Sequence, residues 1–269
     1  MKVSFYRPDP ALTGLVEAYV LVDDRDGGLP FSPVTTAPMP YGVLSVNFCD
    51  RSVDSDGNRH PEIAFLGLQT AIRHWVAGNA TLFAMVLLSP VGMAGMMPGL
   101  GQHTGNALRN LTDLLGPGQA AGLRAAAARL MAFGKTDLLD RWCLSALSAQ
   151  TLRASMGEAL IQSIGRHRTL YAAASSMDIS VRGFQRRFHR EFGTSPTELS
   201  NLVRLQNSMK TARRPGTGLL DERYADQSHQ IRHWRRYLGT TPGRYRRFEV
   251  SAAARALECA DPDGAAFYM

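Results

Sequence analysis

The sequence has few of the residues that mark secreted, membrane or metal-dependent proteins. It holds three cysteines, Cys49, Cys143 and Cys259, far apart and odd in number. They form no C-x-x-C pair and no readable disulfide framework, which fits a reducing compartment. His60, His74 and His103 are scattered, without H-E-x-x-H or any paired ligand spacing, so neither a metal nor a cofactor is expected. No G-x-S-x-G nucleophile turn is present, and no cysteine has a supporting nucleophile motif, so the chain is not expected to be an enzyme. The N-terminus "MKVSFYRPDP" has neither an apolar run nor a cleavage pattern, and no signal peptide is expected. Charge is missing from one long segment: no Asp, Glu, Lys or Arg stands between His74 and Arg109. Pro90, Pro98 and several glycines interrupt that segment, which argues against a spanning helix. A buried strand at about 81–89 followed by a Gly/Met loop, including the glycine-rich "GLGQHTG", is the expected structure.

The charge that is present is unevenly placed. Residues 1–150 carry 11 Lys/Arg against 12 Asp/Glu, residues 151–250 carry 18 against 8, and the last 19 residues carry 1 against 3. A near-neutral half joined to a strongly basic one suggests a polyanion-binding module attached to something else. A division into 1–150, 151–250 and a tail at 251–269 follows. The first part reads as short strands, at 19–22, 32–37, 43–48, 64–68, 73–76 and 81–89, separated by turn-rich segments. That pattern favours a β-sandwich or barrel. From about 108 to 150 the pattern becomes helical, with Leu138, Leu139, Trp142 and Leu147 at helical spacing. Two helices, packed as a hairpin or offered to a partner, are expected there. The fold class is thus α+β: a β-barrel or sandwich-like N-terminal domain with a helical hairpin, then an all-α domain.

The basic part contains a repeat. "SVRGFQRRFHREFGTSPTEL" (180–199) lies over "DQSHQIRHWRRYLGTTPGRY" (226–245) without a gap. Arg186 falls on Arg232, Arg190 on Arg236, Phe188 on Trp234 and Gly193 on Gly239. In the first copy Val181, Phe184, Phe188 and Phe192 share an arc of about 80° on a helix, the buried stripe. Arg182, Gln185, Arg186 and His189 share another arc of about 100°. Arginine can take guanine O6 and N7, and glutamine can take adenine N6 and N7, so this second face suits a DNA major groove. A preceding helix at about 169–178, a turn and Ser180 as N-cap complete a helix-turn-helix. In the second copy Trp234 and Leu238 make the stripe, and Ser228, Arg232 and Arg235 face outward. A helix over 195–212, with Leu199, Leu202, Val203, Gln206 and Met209 along one side, would set the spacing between the units. Arg187, Arg190, Arg235, Arg236, Arg244, Arg246 and Arg247 suit phosphate contacts.

These residues resemble a known family. The double motif with G-x-[ST]-P after each copy, together with "VRLQNSMK", makes residues 155–248 similar to the DNA-binding domain of AraC/XylS-type transcriptional regulators. The resemblance implies two helix-turn-helix units joined by a helix, in the bacterial cytoplasm and nucleoid. It implies double-stranded promoter DNA and RNA polymerase as partners, and no membrane. It also implies an N-terminal domain that senses a small-molecule or protein effector or forms a homodimer. A seam through Trp142 and Leu138 is one expectation for that dimer. By the same resemblance Arg182, Gln185 and Arg186 read bases in the first unit, and Gln227, Ser228, His229 and Arg232 in the second.

The second unit departs from the pattern. Pro215, Gly216 and Gly218 fall where a helix is expected, and Pro and Gly cost about 3 and 1 kcal/mol in a helix relative to Ala. That helix should be short, displaced or absent. Gln230 and Ile231 invert the family's apolar-then-polar order, so Gln230 should approach the core and Ile231 should stand where Gln185 stands in the first copy. An alternative therefore stays open: an interaction protein or antagonist co-regulator of the same fold with weakened DNA recognition.

Overall fold

The computed structural model describes residues 1–27, 33–148, 169–213 and 220–247. The expected boundary near 150, the tail, Cys259, the side chain of Arg247 and the Pro215–Gly218 stretch lie outside the described residues.

The apolar run of the uncharged segment becomes the centre of the molecule. β8 (Thr81–Leu88) is buried along its whole length because both of its faces are covered. Its alternate residues Ala84, Val86 and Leu88 face one core, and Phe83, Met85 and Leu87 face another. This is the period of two that a strand imposes. β8 pairs antiparallel with β2 (Val16–Asp24) on one side and with β4 (Gly42–Asn47) on the other. β1 (Lys2–Tyr6), β6 (Ile63–Leu66) and β9 (Leu108–Asn110) extend a six-stranded sheet of order β1-β2-β8-β4-β6-β9. A three-stranded sheet, β3 (Pro33–Thr36), β7 (Arg73–Val76) and β5 (Val53–Asp54), stands over it in the order β3-β7-β5. The expected all-β first part is therefore two open antiparallel sheets. β1, β5 and β9 are additions to the strands expected from sequence, and Ser32 lies outside the described residues.

The segment expected to be a Gly/Met loop is instead helical. α1 (Pro90–Met96) begins at Ser89, whose hydroxyl accepts from the Gly92 N–H at 3.0 Å, with Pro90 at the first helical position. α2 (Gly101–Thr104) follows as a single turn. α1 is wholly buried because Met93, Ala94, Met96 and Met97 belong to the larger core.

α3 (Leu111–Phe133) and α4 (Asp137–Ser148) form the expected hairpin. Gly116, at φ 81°, breaks α3 just before Pro117, and left-handed Gly134 ends it. Trp142 and Leu138 do not form an outward seam together. Trp142 is buried against α3, its Nε1–H donating to the Gln119 carbonyl at 3.0 Å, and Gly122 leaves room for the ring. The hydroxyl of buried Tyr19 donates to Asp140 at 2.8 Å and fixes α4 to the sheet.

α5 (Leu170–Ser175), α6 (Val181–Phe192), α7 (Pro196–Arg213), α8 (Gln227–Leu238) and α9 (Pro242–Arg247) make the helical region. Its two halves are anchored differently. Phe184, Phe188, Phe192 and Leu199 join the core of the N-terminal sheet and α1. Leu202, Leu205, Met209, Trp234, Tyr237, Leu238 and Tyr245 form their own cluster, which takes in Ala37 from the first half. α7 spans both clusters, and buried Gln206 ties it to the sheets by donating to the Pro38 carbonyl at 2.8 Å. Val203, expected on the buried side of α7, is exposed, and Leu205 and Ser208 are buried in addition.

Candidate nucleic-acid interface

The repeated Gly-Thr-x-Pro has a local physical cause. Gly193 and Gly239 take left-handed backbone at φ 71° and 64° and close α6 and α8. Two residues later a hydroxyl caps the next helix. Ser195 Oγ accepts from the Glu198 N–H at 3.1 Å, and Thr241 Oγ1 accepts from the Arg244 N–H at 3.3 Å. Pro196 and Pro242 then occupy the first helical positions. Each motif thus stops one helix and starts another at a fixed angle. The helix starts match as well: Ser180 caps α6 through the Gly183 N–H at 3.1 Å, and Asp226 caps α8 through the His229 N–H at 2.7 Å.

On α6 the two faces separate as the periodicity demands. Phe184, Phe188 and Phe192 are buried, whereas Arg182, Gln185, Arg186, Arg187, His189 and Arg190 are exposed. Arg182, Gln185, Arg186 and His189 line one open groove with Arg187, Arg190 and Ser195. Arg190 is held by Glu191 at 3.2 Å. Arg182, Arg186 and Arg187 make no ion pair among the described residues, so their guanidinium groups are available to an anion.

α8 presents a thinner face. Gln227, Ser228, Arg232 and Arg235 are exposed, and His229 is partly covered. Arg236 is also exposed, but it lies 3.6 Å from Glu198 and stacks over the Tyr237 ring. Gln230 is buried where Phe184 stands in the first copy. Its Nε2 donates to Ser208 Oγ at 2.9 Å, and the same oxygen accepts from Trp234 Nε1 at 2.9 Å. A buried glutamine is tolerated because Ser208 of α7 satisfies it. Ile231 stands half-exposed in the place of Gln185. The segment Leu220–Asp226, just before α8, is turn and bend rather than helix. There Tyr224 hydrogen-bonds His233 Nδ1 at 2.9 Å, and burial pushes the His233 pKa down to about 4, so this ring is neutral and structural. Near the end of the chain, Arg246 Nε donates to the Ala212 carbonyl at 2.9 Å.

The sequence leads to the expectation of an apolar pocket within the strand region but names none of its residues; the structure has a cavity between the two sheets. A cavity of about 100 Å³ is walled by Met39, Val43, Leu66, Trp75, Phe83 and Met85, with Ser45, Asn47, Ser52, His60, Gln69 and Arg73 as polar lining. Gln69 is fully buried, and neither its Nε2 nor the buried Nε2 of His60 has a hydrogen-bond partner among the described residues. Burial holds the His60 pKa below its ordinary value. The only signal in the sequence was polar residues interrupting apolar strands, a pattern shared by any solvent-facing strand. His74 and His103 are exposed, and no group of three or more His, Cys, Asp or Glu side chains that could hold a metal ion occurs among the described residues.

Residues 173–247 match the profile of a family described as a helix-turn-helix domain. Solved structures of similar shape include ToxT from Vibrio cholerae, at 9% identity over 86% of this chain and 98% of that one, with a TM-score of 0.46. ToxT from Vibrio cholerae O395 is similar at 13% identity over 81% and 93%, with a TM-score of 0.42. The AraC-like transcriptional activator CuxR is similar at 14% identity over 77% and 86%, with a TM-score of 0.33. Curated protein sequences yield no match. Two capped helices, each closed by Gly-Thr-x-Pro, lie inside the matched segment, and residues 173–247 form a helix-turn-helix domain.

Proposed function

We propose that the chain regulates transcription by sequence-specific binding to promoter DNA, with α6 as the main reading helix and an effector held between the two sheets. The observation that carries the reading is the exposed Arg182, Gln185, Arg186 and His189 over the buried phenylalanine stripe of α6. These side chains have the donors that base edges in a major groove accept. Arg187 and Arg235 contribute to phosphate binding, and Arg244 does so after exchanging a contact it already makes. Arg190, Arg236 and Arg246 do so after exchanging the partners described above. Gln227, Ser228, His229 and Arg232 enter a second groove about one duplex turn away. Buried Gln230 and outward Ile231 make that unit the weaker reader, its contribution being affinity more than sequence preference. RNA polymerase and a second copy of the chain remain the partners suggested by the domain type.

The test is selection of bound duplexes from a random pool by the full chain. A motif with one strong half, whose adenine preference relaxes in Gln185→Ala, is expected. Enrichment of no motif, with salt-sensitive binding to every duplex, would instead support the antagonist reading, which the non-helical Leu220–Asp226 segment favours.

The cavity supplies a second prediction. A fully buried glutamine with an unused amide costs stability, on the order of 1–3 kcal/mol for an unsatisfied donor. In ligand-free protein Gln69→Leu should therefore leave the urea midpoint unchanged or raise it, although Thr36 loses a 3.4 Å contact to Oε1. A clear drop in midpoint would mean that Gln69 is a structural residue and that the cavity is not poised for a ligand.

A further inference from the structure

The N-terminal domain reaches the reading helix through α2, and the contact is backbone against backbone. A Cβ on Gly101 would lie 2.3 Å from the Glu191 carbonyl oxygen and 2.5 Å from the Phe192 nitrogen. One on Gly193 would lie 2.2 Å from the Gly101 carbonyl oxygen, and one on Gly105 would lie 2.9 Å from that of Gly193. The Gly99 N–H donates to Glu191 Oε2 at 2.9 Å. On its other side α2 is pressed against Gly67, where a Cβ would lie 2.4 Å from the Thr104 carbonyl oxygen. α2 is thus packed backbone to backbone between the strand domain and the C-terminal end of α6. Thr104 points inward, donating to the carbonyls of Leu100 and Gly101 at 3.1 Å each. Gln102 and His103 are left exposed. Gln102 lines the same groove as Arg186, His189 and Arg190, and its amide lies 3.0 Å from His103 Nε2.

We propose that Gln102 is a DNA contact, its side-chain amide donating to a backbone phosphate beside the bases read by α6. The inference rests on the DNA-binding reading above and adds the N-terminal domain to the interface. Three observations support it. The position of Gln102 relative to α6 is fixed by the glycine clamp. The groove it shares is arginine-rich, and the uncharged segment to which it belongs brings no carboxylate to repel a phosphate. Its place near the C-terminal half of α6 suits a flanking phosphate better than a base, because helices of this type use their N-terminal residues on base edges. Glutamine amides are ordinary phosphate donors and position a protein on its duplex.

The experiment measures affinity of the full chain for its selected duplex across a salt series, with Gln102→Ala, Gln102→Glu and Gln102→Lys beside Arg186→Ala. Gln102→Glu should weaken binding about ten-fold at low salt and Gln102→Ala by a smaller factor. Gln102→Lys should bind more tightly and steepen the salt dependence by about one released counterion. Thermal unfolding should stay unchanged in all three, since the side chain is exposed. Wild-type affinity and salt slope in the Glu and Lys variants, with Arg186→Ala still weakened, would overturn the Gln102 contact and leave the DNA reading intact. No change in Arg186→Ala either would overturn both.

Discussion

Phe188→Ala is expected to lower the stability of the whole chain, not of one helix. Phe188 is fully buried, with its ring 4.5 Å from that of Phe192 and 6.3 Å from that of Phe184. Truncating a buried phenylalanine costs about 3–5 kcal/mol, from lost transfer energy and the cavity left behind. That is a large share of the 5–15 kcal/mol by which typical domains are stable. The loss will spread because these rings share one core with Met93, Met96 and Met97 of the N-terminal half. Thermal unfolding should therefore move down by roughly 10 °C for a chain of this size. Near-ultraviolet signals from Trp142 in the first half and from the helical region should move together. If only the helical region melted early while the Trp142 signal held its midpoint, the shared core would not be energetically continuous.

How much of this was legible beforehand depended on the range over which each feature is determined. α6 is specified locally: an N-cap serine, phenylalanines at helical spacing and a left-handed glycine all lie within fourteen residues, Ser180 to Gly193. The reading face was legible for the same reason. β8 was legible because burial on both faces demands an unbroken apolar run. α1 was not, since Gly92 and Gly95 disfavour a helix on propensity alone. The structure shows why Gly92 is there: a Cβ at that position would lie 2.0 Å from the Leu15 carbonyl oxygen, so close packing against another segment overrides propensity. β1, β5 and β9 are edge strands, β5 and β9 only two and three residues long, and their existence depends on partners far away in sequence. The Gly101–Gly193 contact, Gln206 on Pro38 and Ser208 beneath Gln230 are likewise pairings between distant positions, invisible to any window along the chain. The Gln230–Ile231 inversion did point inward for Gln230, but the serine that makes its burial tolerable could not be read from the same stretch.

Arg182→Ala and Arg186→Ala should each abolish most of the sequence preference while leaving the fold intact. Both side chains are exposed, neither makes an ion pair among the described residues, and neither touches the phenylalanine stripe, so thermal unfolding should be unmoved. A bidentate arginine–guanine pair is worth about 1–3 kcal/mol of discrimination, which is roughly 5- to 150-fold in relative affinity. The loss should therefore be read as affinity for the selected duplex divided by affinity for the same duplex with one base pair changed. Arg187→Ala is the internal contrast: a phosphate contact should weaken binding to both duplexes alike and reduce the salt slope by about one. The equivalent change in the second unit, Arg232→Ala, should behave more like Arg187→Ala, because Ile231 and buried Gln230 leave Arg232 without a neighbouring amide to share a base step. If Arg232→Ala instead cost as much discrimination as Arg186→Ala, the second helix would be a full reader despite its altered support. Ile231 would then be contributing through apolar contact with a thymine methyl, and Ile231→Ala should reproduce that loss at an A·T position only.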